Sequence, residues 1–340
     1  MKRILGVLLS LVALVCAAWL AFRVPDLPYE TLESAYASPT SQFVTLENGG
    51  RLHYRDEGLA DGPAIVMVHG FSASLHTWDG WVDALGDEYR MVRLDLPGHG
   101  LSRNFPIEAV GTTGFTGAID AIATLLEIDD FTLAGSSMGG HAAWAYTLAY
   151  PEKVDALVLV GAAGWAPTEQ EIDEAPFVFK ALSSSLVRRL VKGLDVRPMI
   201  ESGLKNSFVD ESFVTDAMVD RYAALNRGRG HREAILHLLS GEAERVEATQ
   251  ANMAEIEAPT LVLHGREDRL IPVAHGERFA DSIPDAALII YDNIGHLPQE
   301  EVAERSAADL DSFLDANRAA SLVSIPPVAA QGAASTDGLN

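Results

Sequence analysis

The chain has 340 residues, of which 48% are hydrophobic and 21% charged, so it can bury the core of one large domain. Its formal net charge of −23 argues against nucleic acid as a partner, because phosphate recognition needs clustered Lys and Arg. Its single cysteine, Cys16, excludes an internal disulfide, a redox Cys-x-x-Cys pair and a zinc–cysteine cluster.

The N-terminal stretch is apolar after a short basic start, Met1-Lys2-Arg3. Residues 4–22 carry no charge and are long enough to cross a bilayer as a helix. We therefore expect residues 1–24 to be a signal anchor in the inner membrane, with the rest of the chain on the periplasmic side, since the basic end stays in the cytoplasm. The alternatives are cleavage near Ala17-Ala18, which gives a secreted or periplasmic protein, and lipid attachment at Cys16.

Strands alternate with helices along most of the remaining chain. Residues 25–42 are predicted as a linker, and a hairpin follows with strands at Phe43–Glu47 and Arg51–Arg55. Apolar runs then predict buried strands, namely Ala64–Val68, Arg90–Leu94, Phe131–Ala134, Val154–Val160, Thr260–Leu263 and Ala287–Tyr291. This order predicts an α/β fold with a mainly parallel, doubly wound sheet and the antiparallel hairpin at one edge.

Residues 166–250 interrupt this alternation. They have apolar residues at helical spacing, as between Phe177 and Leu190, and no clear strand. We interpret them as a helical cap inserted into a core formed by residues 43–165 and 251–318. Residues 319–340 are small, contain Pro and Gly and lack periodicity, which predicts a disordered tail.

A glycine-bracketed serine pair, Gly135-Ser136-Ser137-Met138-Gly139, lies between a predicted strand and a predicted helix. This is the Gly-x-Ser-x-Gly pattern, in which a sharp turn exposes the central serine. Gly135 and Gly139 are spaced correctly for Ser137 and not for Ser136, so Ser137 is the candidate nucleophile. A phosphate-binding loop is excluded, because no Gly-Lys-Ser/Thr follows the turn.

A serine nucleophile needs a base within hydrogen-bond reach and an acid that orients the base. His296 is the candidate base, because it follows a predicted strand and precedes the last predicted helix. Asp268 is the candidate acid, in the loop after the strand Thr260–Leu263. Glu267 and Asp95 are the weaker alternatives for the acid.

An acyl-transfer site also needs two N–H groups that stabilise an oxyanion. The first candidate is the backbone N–H of Met138, at the N-terminus of its helix. The second is the N–H of Phe71, after the turn at Gly70. We expect no metal and no cofactor, since there is no His-Glu-x-x-His or Cys-x-x-Cys pattern.

At this point the chain resembles the α/β-hydrolase superfamily over about residues 43–317. The resemblance rests on five stretches in the family's order: His69-Gly70-Phe71, Asp95-Leu96-Pro97-Gly98-His99-Gly100-Leu101-Ser102, Gly135-Ser136-Ser137-Met138-Gly139-Gly140, Gly265-Arg266-Glu267-Asp268 and Gly295-His296-Leu297-Pro298. It implies the family's fold and a Ser137–Asp268–His296 triad, and it is less specific for substrate.

Within the superfamily the chain is similar to bacterial esterases and lipases with a helical cap. The resemblance implies hydrolysis of carboxylic esters through an acyl-enzyme, with a small-molecule or lipid ester as substrate. The apolar residues of the cap and the N-terminal apolar segment favour a hydrophobic acyl group. The alternatives are carbon–carbon bond hydrolysis, acyl transfer or perhydrolysis by the same triad, and a binding protein without activity. Leu297 stands where carbon–carbon hydrolases often have Trp, which disfavours that branch. Ser137 disfavours epoxide hydrolases and haloalkane dehalogenases, which use Asp as the nucleophile.

Overall fold

The computed structural model of the protein describes residues 17, 19–174, 182 and 184–324. Its centre is one eight-stranded sheet. The strands are β1 (Ser41–Thr45), β2 (Arg51–Gly58), β3 (Ala64–Val68), β4 (Arg90–Leu94), β5 (Phe131–Ser136), β6 (Val154–Val160), β7 (Thr260–Gly265) and β8 (Ala286–Tyr291).

Thirteen helices accompany these strands within the described ranges. In chain order they are α1 (Tyr29–Tyr36), α2 (Asp79–Leu85), α3 (Thr112–Leu125), α4 (Met138–Ala149), α5 (Glu169–Glu174), α6 (Ser185–Val191), α7 (Arg197–Ser207), α8 (Asp216–Leu225), α9 (His231–Leu239), α10 (Gln250–Met253), α11 (Val273–Ser282), α12 (Pro298–Glu301) and α13 (Ala303–Ser324). Four short 3-10 helices, such as Leu75–Trp78, lie in the connections.

The strand order is β1-β2-β4-β3-β5-β6-β7-β8. The hairpin β1–β2 is antiparallel and lies at one edge, and β2 also pairs antiparallel with β4. All pairs from β4 to β8 are parallel. The predicted α/β fold, with its mainly parallel sheet and edge hairpin, is confirmed.

Helices cover both faces of the sheet. Alternate residues of each buried strand point to opposite sides, so each strand contributes to two hydrophobic cores. Val66 and Val68 of β3 contribute to a core with Phe115 of α3 and Trp144 of α4. Ile65 and Met67 contribute to a second core on the other face; this core contains Trp78, Trp81, Leu310 and Leu314. Two layers of helices therefore hold the sheet rigid, and its strand ends can serve as a fixed platform.

The stretch between β6 and β7 contains helices α5 to α10, which we call the helical insertion. None of the sheet strands comes from its described residues. Phe177 and Phe179, which contributed to the expected helical spacing, lie outside the described residues. The boundaries 166–250 stay a prediction.

Two described helices extend into segments that the sequence predicts to be irregular. Within the expected linker 25–42, helix α1 buries Leu32 in a small cluster with Leu101 and Leu225. At the other end, helix α13 continues to Ser324, while residues 325–340 of the expected tail lie outside the described part.

The expected inner-membrane anchor is corrected. No helix within the described residues is long and apolar enough to span a bilayer. Of the segment 4–22, the structure describes only residues 17 and 19–22. The indole of Trp19 donates to the carbonyl of Leu190 at 2.6 Å, and the N–H of Asp195 donates to the carbonyl of Phe22 at 3.1 Å. The described end of the segment thus lies against the helical insertion.

Candidate active site

Ser137 occupies a sharp turn between β5 and α4. Its φ of 54° and ψ of −116° are unusual for a residue with a side chain. Three hydrogen bonds fix this backbone. The Ser137 N–H donates to Val160 at 2.9 Å, and the Ser137 carbonyl accepts from His141 at 3.1 Å and Ala163 at 3.0 Å. The strain is therefore supported by the end of β6 and the first turn of α4.

Gly135 and Gly139 allow this turn because their neighbours leave no room for a side chain. A Cβ atom at Gly135 would collide with the Gly139 carbonyl, and one at Gly139 would collide with the Val68 carbonyl. The turn can therefore approach β3 closely only with glycine at both positions.

The two adjacent serines differ in exposure. Ser137 is half-buried, whereas Ser136 is fully buried and its Oγ accepts a hydrogen bond from Nε2 of Gln299 at 3.2 Å. Ser136 thus faces the interior beneath the turn. Of the pair, only Ser137 is accessible to a substrate.

Asp268 and His296 form a buried pair at the ends of β7 and β8. Nδ1 of His296 lies 2.7 Å from Oδ2 of Asp268. Oδ1 of Asp268 accepts from the backbone N–H groups of Leu270 and Ile271, both at 2.8 Å. Burial alone would raise the pKa of Asp268, but the His296 and His264 imidazoles outweigh it and hold this pKa below its usual range. The carboxylate is therefore ionised and oriented toward His296.

The ends of the parallel strands bring these residues together. Val160, which accepts from the Ser137 N–H, precedes Gly161, and a Cβ atom at Gly161 would lie 3.2 Å from Nδ1 of His296. A Cβ atom at Gly70, after β3, would lie 3.1 Å from Cβ of Ser137. The expected nucleophile, base, acid and Gly70 turn thus meet at the carboxyl ends of the parallel strands. Active sites of α/β proteins usually lie there.

The turn at Gly70 has a fixed orientation because of His69. Nδ1 of His69 donates to the Gly70 carbonyl at 2.7 Å, and Nε2 accepts from the N–H of Leu96 at 3.0 Å. Burial lowers the pKa of His69, so this neutral tautomer persists. In a trans peptide the C=O and N–H point in opposite directions, and a fixed Gly70 carbonyl therefore fixes the Phe71 N–H.

The N–H groups of Phe71 and Met138 have no hydrogen-bond partner among the residues that the structure describes. Phe71 follows the Gly70 turn, and Met138 begins α4 directly after Ser137. Both N–H groups therefore stay candidates for the pair of donors that stabilises an oxyanion.

The weaker acid candidates have other partners. Asp95 is fully buried, and its carboxylate lies 2.7 Å from Nδ1 of His53 and accepts from the N–H groups of Leu75 and Leu101. Glu267 accepts from the N–H of Ile294 at 3.1 Å. Asp95 therefore ties together the loops behind the site, and Glu267 ties together the loops that carry Asp268 and His296.

The sequence did not identify two residues at the edge of this site. His264 lies with Nε2 at 3.3 Å from Oδ2 of Asp268. Glu301 accepts from the N–H of Gly295, next to His296, at 2.7 Å. The sequence marks these two residues only by position. His264 precedes Gly265 at the end of a strand, and Glu301 lies in the helical turn after His296.

The helical insertion contacts both loops of the site. Leu297, next to His296, packs in an apolar cluster with Leu204, Phe208, Val219 and Tyr222, and Ala73 of the Gly70 loop packs against it. Apolar groups of the helical insertion therefore border the loop that carries His296.

Comparison with known proteins identifies the fold family and several hydrolases that the chain resembles. The model of the alpha/beta hydrolase fold matches residues 63–303. The 2-hydroxy-6-oxononadienedioate/2-hydroxy-6-oxononatrienedioate hydrolase of Paraburkholderia phymatum is 32% identical over 291 residues, covering 81% of this chain and 96% of that protein.

Solved structures agree on the architecture. The crystal structure of a membrane phospholipase A has a TM-score of 0.69 and 28% identity, covering 94% of this chain and 99% of that one. A variant of the meta-cleavage product hydrolase of Pseudomonas fluorescens has a TM-score of 0.66 over 81% of this chain and 97% of that one. Its 23% identity shows the fold alone.

The expectation of ester hydrolysis, including a lipid ester substrate, is wrong on this comparison. The name of the Paraburkholderia relative's substrate describes a dicarboxylate with hydroxyl and oxo groups on a carbon chain, without an ester. Hydrolysis of such a molecule must break a carbon–carbon bond, the reaction given above as an alternative. In the sequence Leu297 disfavours that branch, but its contacts are apolar packing with the helical insertion.

The matched region extends from the start of β3 to the start of α13 and contains all the residues discussed as nucleophile, base and acid. Together with the mainly parallel eight-stranded sheet, this match shows that the chain is a hydrolase and a member of the α/β-hydrolase family.

Proposed function

We propose that the chain hydrolyses the carbon–carbon bond beside the 6-oxo group of 2-hydroxy-6-oxo-dienoic acids. The observation that carries this proposal is the buried Asp268–His296 pair beside the strained Ser137, in a chain 32% identical to a hydrolase of such an acid. Ser137 is the nucleophile, His296 the base, Asp268 the orienting acid, and the N–H groups of Phe71 and Met138 bind the oxyanion. Gly70, Gly135 and Gly139 are the supporting turns.

The substrate's conjugation makes the bond breakable. Loss of the 2-hydroxyl proton and gain of a proton at C5 convert the dienol to a diketone. The electron pair of the C5–C6 bond can then pass through the remaining double bond to the C2 carbonyl. The negative charge of the leaving group is thereby delocalised onto the C2 oxygen. In ester hydrolysis the leaving group needs no such delocalisation, because the alkoxide already carries its charge on oxygen.

Each proton in the cleavage has a donor and an acceptor. Ser137 Oγ attacks C6 while Nε2 of His296 takes its proton, and the negative C6 oxygen accepts from Phe71 and Met138. The C5–C6 bond breaks, and the released dienolate takes the proton from His296. Water then adds to the acyl-Ser137 ester, with His296 again moving the proton, and releases the second carboxylic acid. One water is consumed in total.

Asp268 supports this cycle through its position and charge. It holds Nδ1 of His296 at 2.7 Å, which leaves Nε2 for the serine. Its lowered pKa keeps it ionised beside the imidazolium that forms during attack. Hydrogen bonds from Leu270 and Ile271 keep the carboxylate from rotating.

The test follows the loss of absorbance of the conjugated 2-hydroxy-6-oxo-dienoate substrate. Purified protein is mixed with 2-hydroxy-6-oxo-dienoates that carry aryl, alkyl or carboxyalkyl groups at C6. We expect turnover of at least one, with both acids detected by mass spectrometry, and a decrease in kcat of at least about 10³-fold for Ser137→Ala. Ser136→Ala is the matched control, because its hydroxyl faces Gln299.

The same preparations are assayed with p-nitrophenyl esters and phospholipids. Cleavage of esters without cleavage of any dienoate would contradict the proposal. Equal dienoate turnover by the wild type and Ser137→Ala would contradict the role of Ser137.

A further inference from the structure

Glu301, at the end of α12, holds a buried carboxylate whose hydrogen bonds, within the described part of the chain, all come from backbone N–H groups. The residue is 7% exposed. Oε2 accepts from the N–H of Gly295 at 2.7 Å, and Oε1 accepts from the N–H groups of Val209 at 2.9 Å and Asp210 at 3.1 Å.

These donors come from two separate parts of the chain. Gly295 immediately precedes His296, whereas Val209 and Asp210 follow helix α7 of the helical insertion. A direct contact joins the same two segments, because the His296 N–H donates to the Ser207 carbonyl at 2.7 Å. A Cβ atom at Gly295 would collide with that carbonyl, so the segments meet backbone to backbone.

The energetics couple the two segments. A carboxylate buried away from water is tolerated when hydrogen bonds compensate its charge, and bonds to a charged acceptor are stronger than neutral ones. If the segment 207–210 moved away, Oε1 would lose both donors. If the loop of His296 moved, Oε2 would lose its donor, and leaving a charged group unsatisfied costs more than a neutral bond contributes.

We propose that Glu301 is a positioning residue that fixes His296 by binding Gly295 and the segment 207–210 at once. It acts through His296 and has no contact with the reacting atoms. The base is therefore held at its working position only while the helical insertion is seated on the loop of His296. This inference rests on the proposed roles of Ser137 and His296.

The test variant is Glu301→Gln, which keeps the size of the side chain. Its NH₂ group must face an N–H donor at one of the two former oxygen positions, so one side of the bridge is lost. Glu304→Gln is the matched control, because Glu304 is exposed at the start of α13. Glu301→Asp serves as the second variant, since its shorter side chain reaches only one of the two segments.

Three measurements separate positioning from folding. The first is the rate at which a fluorophosphonate labels Ser137, which needs no natural substrate. The second is kcat and KM for a 2-hydroxy-6-oxo-dienoate. The third is the downfield proton resonance of the His296–Asp268 hydrogen bond, assigned by its loss in His296→Asn, together with the folded fraction from circular dichroism.

We expect Glu301→Gln to lower labelling and kcat about 10- to 100-fold, as small misplacements of catalytic groups do, with KM within about twofold. The downfield resonance shifts or broadens, and the control matches the wild type. If Glu301→Gln does not fold, Glu301→Asp shows the same pattern at smaller amplitude.

Labelling at the wild-type rate with an unchanged resonance would overturn the proposal. A fall in labelling that matches the loss of folded protein would overturn it as well, because that result indicates a structural role only. If the wild type is labelled normally but cleaves no dienoate, the proposed reaction is contradicted. The role of Glu301 is then decided by the labelling rates alone.

Discussion

His264 Nε2 lies 3.3 Å from Oδ2 of Asp268, the oxygen that also binds His296. His264 is fully buried, and the same Nε2 lies 2.9 Å from the carbonyl of Ile271. The acid of the site is therefore held by an imidazole on each side as well as by the loop's own N–H groups. This contact restricts the carboxylate to one rotamer and one distance from His296.

Replacing His264 by Phe keeps a ring of similar shape and removes the donor. We expect a loss of about 1.5–3 kcal/mol in the free energy of unfolding, the usual cost of removing a hydrogen bond to a charged group. We also expect kcat to fall while KM stays near its wild-type value. Urea denaturation and steady-state kinetics measure both effects. His264→Gln, which keeps a donor, should recover part of each loss, and equal effects of the two variants would refute the role of the Nε2 donor.

Gly139→Ala tests the close approach of the Ser137 turn to β3. The added methyl would collide with the carbonyls of Val68 and His69, so the turn must move. We expect loss of fluorophosphonate labelling and a lower melting temperature. Gly117→Ala is the matched control, since a Cβ atom there meets nothing within 4 Å in the helix α3.

At Gly117 the substitution should stabilise the protein by up to about 1 kcal/mol, because alanine has the higher helix propensity. The pair therefore predicts opposite signs for the same chemical change. Normal labelling of Gly139→Ala would mean that the turn does not depend on glycine at this position.

Glu300 provides a prediction for the pH dependence of stability. Burial raises its pKa from 4.5 to about 7, against the opposing effects of the hydrogen bond from Thr77 and the charge of Arg221. Because the folded pKa is the higher one, the unfolded chain releases this proton first, and stability falls as pH rises between about 4.5 and 7.

Glu300→Gln removes the titrating group and keeps a neutral side chain. We expect the variant to match the wild type near pH 4.5 and to become the more stable protein by pH 7 to 8. The measurement is the free energy of unfolding in urea at several pH values, with Glu304→Gln as the control. A difference between variant and wild type that does not change with pH would show that Glu300 has an ordinary pKa.

The sheet and the Ser137 turn could be predicted because their signals are local. An apolar run such as Ala64–Val68 contains its own strand propensity, and the glycines around Ser137 indicate the turn without reference to distant residues. Asp268 and His296 followed from chain order and from their positions at strand ends. These positions all meet at one edge because parallel strands end there.

The remaining contacts depend on distant segments and have no local signal. Glu301 ends a single helical turn without a distinctive sequence pattern, and its donors Val209 and Asp210 lie in the helical insertion, far away in the chain. Helix α1 was missed because Leu32 is its one buried residue, too little for an amphipathic pattern. The reaction was misjudged because the family motifs specify the triad and not the substrate, and because Leu297, which packs against Phe208 and Tyr222, does not report on the substrate.

His69 is the subject of the last prediction. It is fully buried, and it bridges the Gly70 carbonyl and the Leu96 N–H with one nitrogen each. The bridge sets the direction of the Phe71 N–H, one of the two proposed oxyanion donors. Replacing His69 by Phe leaves the Leu96 N–H without its acceptor, and leaves the Gly70 carbonyl with the longer bond from the Ala73 N–H at 3.3 Å.

We expect His69→Phe to lower kcat by about 10²-fold or more, the loss typical of removing one oxyanion donor, with a smaller change in KM. Stability should fall by about 1–3 kcal/mol, because the Leu96 N–H stays buried and unsatisfied. His69→Gln can donate and accept and should restore part of kcat. Steady-state kinetics and urea denaturation of both variants measure these effects. A loss of stability without a loss of kcat would show that the Phe71 N–H keeps its direction without His69.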